Sequence, residues 1–133
     1  MQYLRAYLAA FVSFFVLDVI WLTVIAFEIF QSEVGGILRA EPNLLAAGAF
    51  YLLYIFGLLI LVIKPAIQQV SMASAAWRGA VLGVTAYGTF DLTSLTVIQG
   101  WTIKAAGIDM IWGLAGTSLA AVVGFLAAGR AKN

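Results

Sequence analysis

Residues 4–27 read LRAYLAAFVSFFVLDVIWLTVIAF, and Arg5 and Asp18 are the only charged residues in this run. A helix that rises 1.5 Å per residue needs about 20 mainly apolar residues to cross a hydrocarbon core of about 30 Å. The run is too long for the apolar region of a signal peptide, which covers about 7–15 residues, and no small-residue cleavage site follows it. It therefore predicts a transmembrane helix that is retained at the N-terminus.

Three more apolar runs of similar length follow. They cover about residues 44–63, 77–98 and 105–128. Polar or turn-forming residues separate the runs: Glu41-Pro42-Asn43 is typical of a helix start, and Lys64-Pro65 is typical of a helix end. The sequence predicts an all-α fold, in which residues 1–133 form a single integral membrane domain and its helices a four-helix transmembrane bundle.

The composition agrees with a membrane environment and excludes several classes of function. Hydrophobic residues make up 64% of the chain and charged residues 10%, whereas a soluble domain carries about 25% charged residues. The net charge of +1 gives no indication of nucleic-acid binding. The chain has no cysteine and no histidine, which excludes thiolate chemistry, imidazole metal sites and the usual general base. We expect no cofactor, no metal and no nucleic-acid partner.

The distribution of basic residues predicts the orientation in the membrane. With the N-terminus in the cytoplasm, the basic residues of the cytoplasmic side are Arg5, Lys64, Arg78, Arg130 and Lys132. Those of the outer side are Arg39 and Lys104. Five against two favours cytoplasmic N- and C-termini by the positive-inside rule. Aromatic residues near the predicted boundaries are typical of interfacial belts; they are Tyr3, Tyr7, Trp77 and Trp101.

Acidic residues inside the predicted spans are the main indication of a functional site. Asp18, Asp91 and Asp109 each lie within a span, where a carboxylate costs about 2.5–3.5 kcal/mol at the centre of an inserted helix. Counting helical rise places Asp18 and Asp91 roughly 20 Å from the cytoplasmic side, and Asp109 lies near the outer end of the last span. Tyr51 and Tyr54 fall at a comparable depth. We therefore predict a common polar layer in the outer half of the bilayer.

Helical spacing predicts which way these acids face. Small or polar residues recur every three or four positions on the last two spans, and such faces allow close helix packing in lipid. On the last span the face comprises Asp109, Gly113, Gly116, Ala120 and Gly124, and on the third it comprises Gly79, Gly83, Tyr87, Asp91 and Ser94. On the first span Asp18 shares a face with Phe11, Phe14, Trp21 and Ile25. We expect all three acids to point into the bundle.

No lysine or arginine lies deep enough in the spans to neutralise the acids, and only Lys104 at the outer boundary is within reach of Asp109. We therefore expect at least one acid to be protonated at neutral pH, or to hold a cation or an amine. The predicted ligand- or proton-binding residues are Asp18, Asp91, Asp109, Tyr51, Tyr54, Tyr87, Trp21 and Trp112. Two structural alternatives remain open: the acids can be hydrogen-bonding contacts between helices, and Asp109 can cap the last helix.

Several segments of the chain resemble a known family. They are LDVIWL at residues 17–22, YGTFDLTSL at 87–95, QGW at 99–101 and DMIWG at 109–113. Together they resemble the domain-of-unknown-function 2177 family of small four-span bacterial integral membrane proteins, over nearly the whole chain. A proline often follows the Gly-Trp pair in that family, whereas this chain has Thr102-Ile103, so we expect a different turn there. The resemblance implies a multi-pass protein of the bacterial cytoplasmic (inner) membrane and implies no activity.

Four functional hypotheses remain from the sequence. The first is a polar acidic site in the outer half that binds a small molecule, a lipid or a cation. The second is a proton-coupled small transporter that acts as a homodimer, and the third is an accessory or assembly subunit of a larger membrane complex. An enzyme is the weakest hypothesis, because paired carboxylates can do acid–base work but no nucleophile with a base at fixed spacing and no glycine-rich phosphate loop is present.

Overall fold

Four long helices make up the fold. The computed structural model describes residues 1–129, and within them there is no strand. The helices are α1 (Gln2–Ile37), α2 (Leu44–Gln68), α3 (Met72–Val97) and α4 (Ile103–Ala128). Successive helices run antiparallel, and α4 packs against α1 on one side and α3 on the other. The predicted all-α helical bundle is confirmed.

Three of the four helices, α1, α2 and α4, are long and apolar enough to cross a membrane. Helix α3 is also long enough, with 26 residues. Among residues 1–129, however, it is not one of the helices that are apolar enough to cross. Its sequence includes Arg78, Asp91 and several glycine, serine and threonine residues, which lower its mean hydropathy. The structure thus shows three candidate spans and a fourth helix of more polar composition.

Two helices continue beyond the predicted ends of their apolar runs. Helix α1 continues beyond Phe27 to Ile37, because neither glycine nor proline interrupts it before Gly35-Gly36. Helix α2 continues through Lys64-Pro65 to Gln68, so the prediction that it ends there is wrong. A π-helical segment, Leu59–Ile63, directly precedes Lys64. Pro65 consequently lies in the first turn of the α-helical stretch that follows, where its missing N–H is tolerated.

The starts of the last three helices are capped by side chains. Asn43 accepts a hydrogen bond from the Ala46 N–H at 3.1 Å, Ser71 from the Ser74 N–H at 3.1 Å, and Thr102 from the Ala105 N–H at 3.1 Å. Pro42 therefore precedes the cap of α2. Because Thr102 caps α4 and Asp109 lies in the helix beyond its first turn, the alternative that Asp109 is the helix cap is wrong.

We call the end of the bundle that carries the N-terminus and residues 69–71 the proximal end, and the opposite end the distal end. The proximal half is closed by small residues. A Cβ on Gly79 would lie 2.9 Å from the Cβ of Ala121, and one on Gly124 would lie 3.0 Å from the Ala6 carbonyl oxygen. Arg5 donates to the Ala128 carbonyl at 2.9 Å, which ties α1 to the end of α4. Arg130 and Lys132, part of the predicted cytoplasmic charge, lie outside the described residues.

The distal half of the bundle is more open, because α2 diverges from its neighbours there. Its contacts with α3 and α4 lie mainly in the proximal stretch from Leu59 to Gln68. At the distal start of α2, residues 44–50 are all exposed except Ala47, which is half-buried, and Tyr51 is the first buried residue. The divergence leaves a lateral opening between α2 and α3, at the level where the predicted acids lie.

Candidate functional site

Three helices meet at the carboxylate of Asp18. The side chain is buried on α1, with 6% of its surface exposed. The Tyr51 hydroxyl from α2 donates to Oδ2, and the Trp112 indole Nε1 from α4 donates to Oδ1 at 3.0 Å. An ionised carboxylate has only acceptor oxygens, so one donor for each oxygen suits this form of Asp18. These two hydrogen bonds hold α1, α2 and α4 together at one level along the bundle.

Aromatic rings surround this carboxylate, as predicted for its helix face. Trp21 stacks on Trp112 with ring centroids 5.4 Å apart and planes 8° from parallel. Towards the proximal side, the ring of Phe14 lies 6.1 Å from that of Tyr51 and 5.4 Å from that of Tyr54. Asp18 therefore has apolar ring faces on one side, and its other side faces a cavity.

The cavity has a volume of about 350 Å³. It is lined by Asp18, Leu22, Phe50, Ala86, Tyr87, Phe90 and Asp109. Leu22, Phe50 and Phe90 are between 41% and 54% exposed, so the cavity opens sideways at the surface of the bundle. Two of its lining residues are acidic and none is basic.

Asp91 and Asp109 lie next to each other beside this cavity. Asp91 on α3 is completely buried, with 0% of its surface exposed, and neither of its oxygens has a hydrogen-bond partner among the described residues. The Trp101 indole also adjoins it, but its N–H is likewise buried without a partner. Asp109 on α4 contacts Asp91 and also lines the cavity.

The basic residue predicted to be in reach of Asp109 pairs elsewhere. Lys104 Nζ lies 3.8 Å from Oε1 of Glu33 at the distal end of α1. The lysine side chain is largely exposed, and ion pairs at the surface contribute only about 0–1 kcal/mol to stability. Within residues 1–129, no group of three or more acidic side chains is arranged to hold a metal ion. The buried acids therefore have no basic partner from Lys104.

The remaining predicted residues extend the polar layer to α3 and α4. Tyr54 on α2 shares a hydrogen bond with Thr117 on α4 at 2.7 Å, and its ring centroid lies 6.2 Å from that of Tyr87 on α3. Tyr87 in turn lines the cavity beside Asp109. The structure thus brings all eight residues singled out from the sequence into one connected region.

A model of the family described as "predicted membrane protein (DUF2177)" matches residues 3–126 of the chain. The chain belongs to this family. The match includes α2, α3 and nearly all of α1 and α4, and therefore every residue of the region described above. No curated protein and no solved structure matches the chain at a significant level.

Sequence reasoning missed several residues of this region. Phe50 and Phe90 line the cavity, Thr117 bonds to Tyr54, and Trp101 packs between Phe30 and Phe90, at centroid distances of 6.2 and 5.5 Å. Thr117 follows Gly113 at a spacing of four on the small-residue face, a signal that could have identified it. Trp101 fitted an interfacial belt equally well, and only the fold of residues 98–102 brings it beside Asp91.

Proposed function

We propose that the protein binds a small amphiphilic cation in the cavity, either a protonated amine or the ammonium headgroup of a lipid. The observation that carries the proposal is the lining of the cavity. Asp18 and Asp109 supply negative charge, the other lining residues are apolar or aromatic, and no basic side chain is among them. An anion would face two acids there, whereas a cation would find carboxylates and ring faces together.

The size and position of the cavity support a ligand that comes from the lipid phase. Ligand pockets have volumes of about 300–1,000 Å³, and this cavity, at about 350 Å³, suits a headgroup or a small amine. The half-exposed rings of Phe50 and Phe90 border the lateral opening. An alkyl tail can extend between them into the bilayer while the ammonium group lies between Asp18 and Asp109.

We further propose that all four helices cross a bacterial cytoplasmic membrane with both termini in the cytoplasm. The polar side chains of α3 support its crossing. Asp91 and Ser94 face inward and are buried, and the outward hydroxyls of Thr89, Thr93 and Thr96 donate to carbonyls of α3 itself. Satisfied hydroxyls are compatible with lipid. This orientation places the cavity in the outer half of the bilayer.

Titration calorimetry with decylammonium, on protein purified in a nonionic detergent, tests the binding proposal. We expect saturable binding by the wild type, and a loss of at least tenfold in affinity in Asp18→Asn and in Asp109→Asn, because each variant removes one carboxylate of the cavity. Decanoate, which has a similar chain and the opposite charge, is expected not to bind. A short-chain phosphatidylethanolamine in place of decylammonium distinguishes a lipid headgroup from a free amine.

Glu28→Gln is the matched control for these variants. Glu28 is exposed, lies on α1 like Asp18, and does not line the cavity. The substitution makes the same change in net charge, so binding should be unchanged. Equal binding of decylammonium by the wild type, Asp18→Asn and Asp109→Asn would contradict the proposal, and so would binding of decanoate with similar affinity.

Proton-coupled transport is the second candidate, and irregular segments in two of the helices favour it. Helices α1 and α2 each contain a π-helical segment, Trp21–Ala26 and Leu59–Ile63. Such departures from α-helical hydrogen bonding are frequent at functional sites. Transport also requires a path through the proximal half, which is closed here by the contacts of Gly79 and Gly124. Binding alone requires no such rearrangement, so we place it first.

A further inference from the structure

We propose that Asp91 and Asp109 hold a single proton between them, and that a cation entering the cavity displaces this proton. The inference rests on the proposed function, because it assigns the proton exchange that accompanies binding at the same site. It concerns a pair of residues of which only one, Asp109, lines the cavity.

The environment of Asp91 disfavours its ionised form. Its carboxyl group is completely buried and has no hydrogen-bond donor among the described residues, and its neighbour is a second carboxyl group. Burial of an ionised carboxylate without a donor or an opposite charge is very costly. Two carboxyl groups in contact away from water do not both ionise, and they share one proton instead.

Within residues 1–129, no neighbouring group supplies the missing positive charge. The titratable groups around Asp109 are Asp18 on α1 and Tyr87 on α3, and Tyr87 in turn adjoins Tyr51 and Tyr54 on α2. The nearby Trp101 indole is not titratable, and Lys104 at the start of α4 is turned towards Glu33. Asp18 already receives two donors, which leaves Asp91 and Asp109 as the pair that holds a transferable proton.

Asp109 connects this pair to the cavity. It contacts Asp91 on one side and the cavity on the other, so a cation beside it reaches the pair directly. When an ammonium group enters, the O–H bond of the pair breaks, the proton leaves to the solvent, and the carboxylate pairs with the cation. The net charge of the site stays the same, which avoids the cost of adding a charge in a low-dielectric region.

Infrared spectroscopy of the wild type tests the shared proton without any variant. We expect a protonated-carboxyl C=O band at neutral pH, which shifts in D2O and is lost when decylammonium is added. Asp91→Asn and Asp109→Asn should each weaken this band in the free protein. Glu28→Gln is the matched control and should leave it unchanged, because Glu28 is exposed and does not line the cavity.

Proton release measured with a pH-sensitive dye in weakly buffered detergent tests the exchange. We expect about one proton per bound decylammonium, so that affinity falls about tenfold for each unit by which the pH is lowered. In Asp91→Asn, decylammonium should still bind at Asp109 and Asp18, but without proton release and with little dependence on pH. Glu28→Gln should behave as the wild type.

The outcomes separate this inference from the proposed function. Binding of decylammonium with no proton release in the wild type overturns the inference and leaves the binding proposal intact. Absence of a protonated-carboxyl band in the wild type also overturns it, as does a band that persists in both Asp91→Asn and Asp109→Asn. Absence of any decylammonium binding overturns both proposals.

Discussion

At the scale of single residues, the carboxylate of Asp18 is held by donors from two other helices. A charged side chain at the centre of an inserted helix costs about 2.5–3.5 kcal/mol, and each hydrogen bond to a charged group contributes about 1.5–3 kcal/mol. The bonds from Tyr51 and Trp112 therefore offset a cost of similar size. Among residues 1–129, neither oxygen of Asp91 receives such a bond, which is why the two acids differ in their expected protonation.

A second residue-scale feature is the contact between Gly83 and α4. A Cβ at Gly83 would overlap the carbonyl of Gly113 and the side chain of Thr117, and a backbone atom cannot move aside without shifting the helix. We expect Gly83→Ala to lower the free energy of unfolding by about 1–3 kcal/mol. Denaturation followed by circular dichroism in detergent micelles measures this change.

Gly57→Ala is the control for this prediction. Gly57 also lies within a helix, but a Cβ there meets no atom within 4 Å. Alanine favours a helix over glycine by about 0.5–1 kcal/mol, so this variant should be as stable as the wild type or more so. Equal effects of the two substitutions would contradict the proposed close approach of α3 and α4.

At the scale of elements, the π-helical segment of α1 changes which residues face the core. Regular spacing from Trp21 predicts that Ile25 shares the buried face, but Ile25 is 49% exposed and Ala26 is buried instead. This prediction is wrong because the segment Trp21–Ala26 contains one residue more than an α-helical turn would hold. Asp18 and Trp21, which precede the shift, keep their predicted face.

The extra residue leads to a prediction about deletions in α1. Deleting Thr23 shortens the spacing from Trp21 to Ala26 to that of a regular α-helix. The parts of α1 before and after this segment then still turn the same faces towards the core. We expect this variant to fold and to elute as a single species in detergent size-exclusion chromatography. Deleting Val12, which is exposed in the regular part of α1, rotates the rest of the helix by about 100°. That variant should aggregate. Equal behaviour of the two deletions would show that the π-helical segment does not accommodate an extra residue.

At the scale of the whole molecule, the number of crossings and the orientation decide where the cavity lies. Helix α3 has 26 residues, or about 39 Å at helical rise, and it packs along α4 from Gly79 to Gly88. This lengthwise packing supports the proposal that α3 crosses the membrane together with α4. The glycines of the inward face and the threonines of the outward face lower the mean hydropathy of α3, and these threonine hydroxyls bond to carbonyls of their own helix.

Cysteine labelling checks this topology, because the chain contains no native cysteine. We expect Glu41→Cys and Gln99→Cys, in the two distal connections, to react with a membrane-impermeant maleimide on intact bacterial cells. Gln69→Cys, in the proximal turn, should react only after permeabilisation. Labelling of Gln69→Cys and Gln99→Cys from the same side would show that α3 does not cross, and the reverse pattern at all three sites would invert the orientation.

The sequence by itself determined the helical class, the long apolar segments, the small-residue faces of α3 and α4, and the common level of Asp18, Asp91 and Asp109 along the bundle. These features depend on local periodicity and on the rise of a helix, and both can be read from each segment without knowledge of the others. The starts of helices were also predictable where a capping side chain such as Asn43 follows a proline. The end of α2 was not, since the effect of Pro65 depends on the hydrogen bonding of the turn before it.

Only the tertiary structure decided which groups meet. The Asp-x-x-Trp spacing occurs at both Asp18 and Asp109, yet Asp18 takes its indole donor from Trp112 on another helix, and Trp21 stacks on that same ring. Lys104 joins Glu33 rather than Asp109. These pairings, and the opening left by α2, depend on how each helix is rotated and tilted against the others. Packing between helices sets those angles, and no single segment of the sequence contains them.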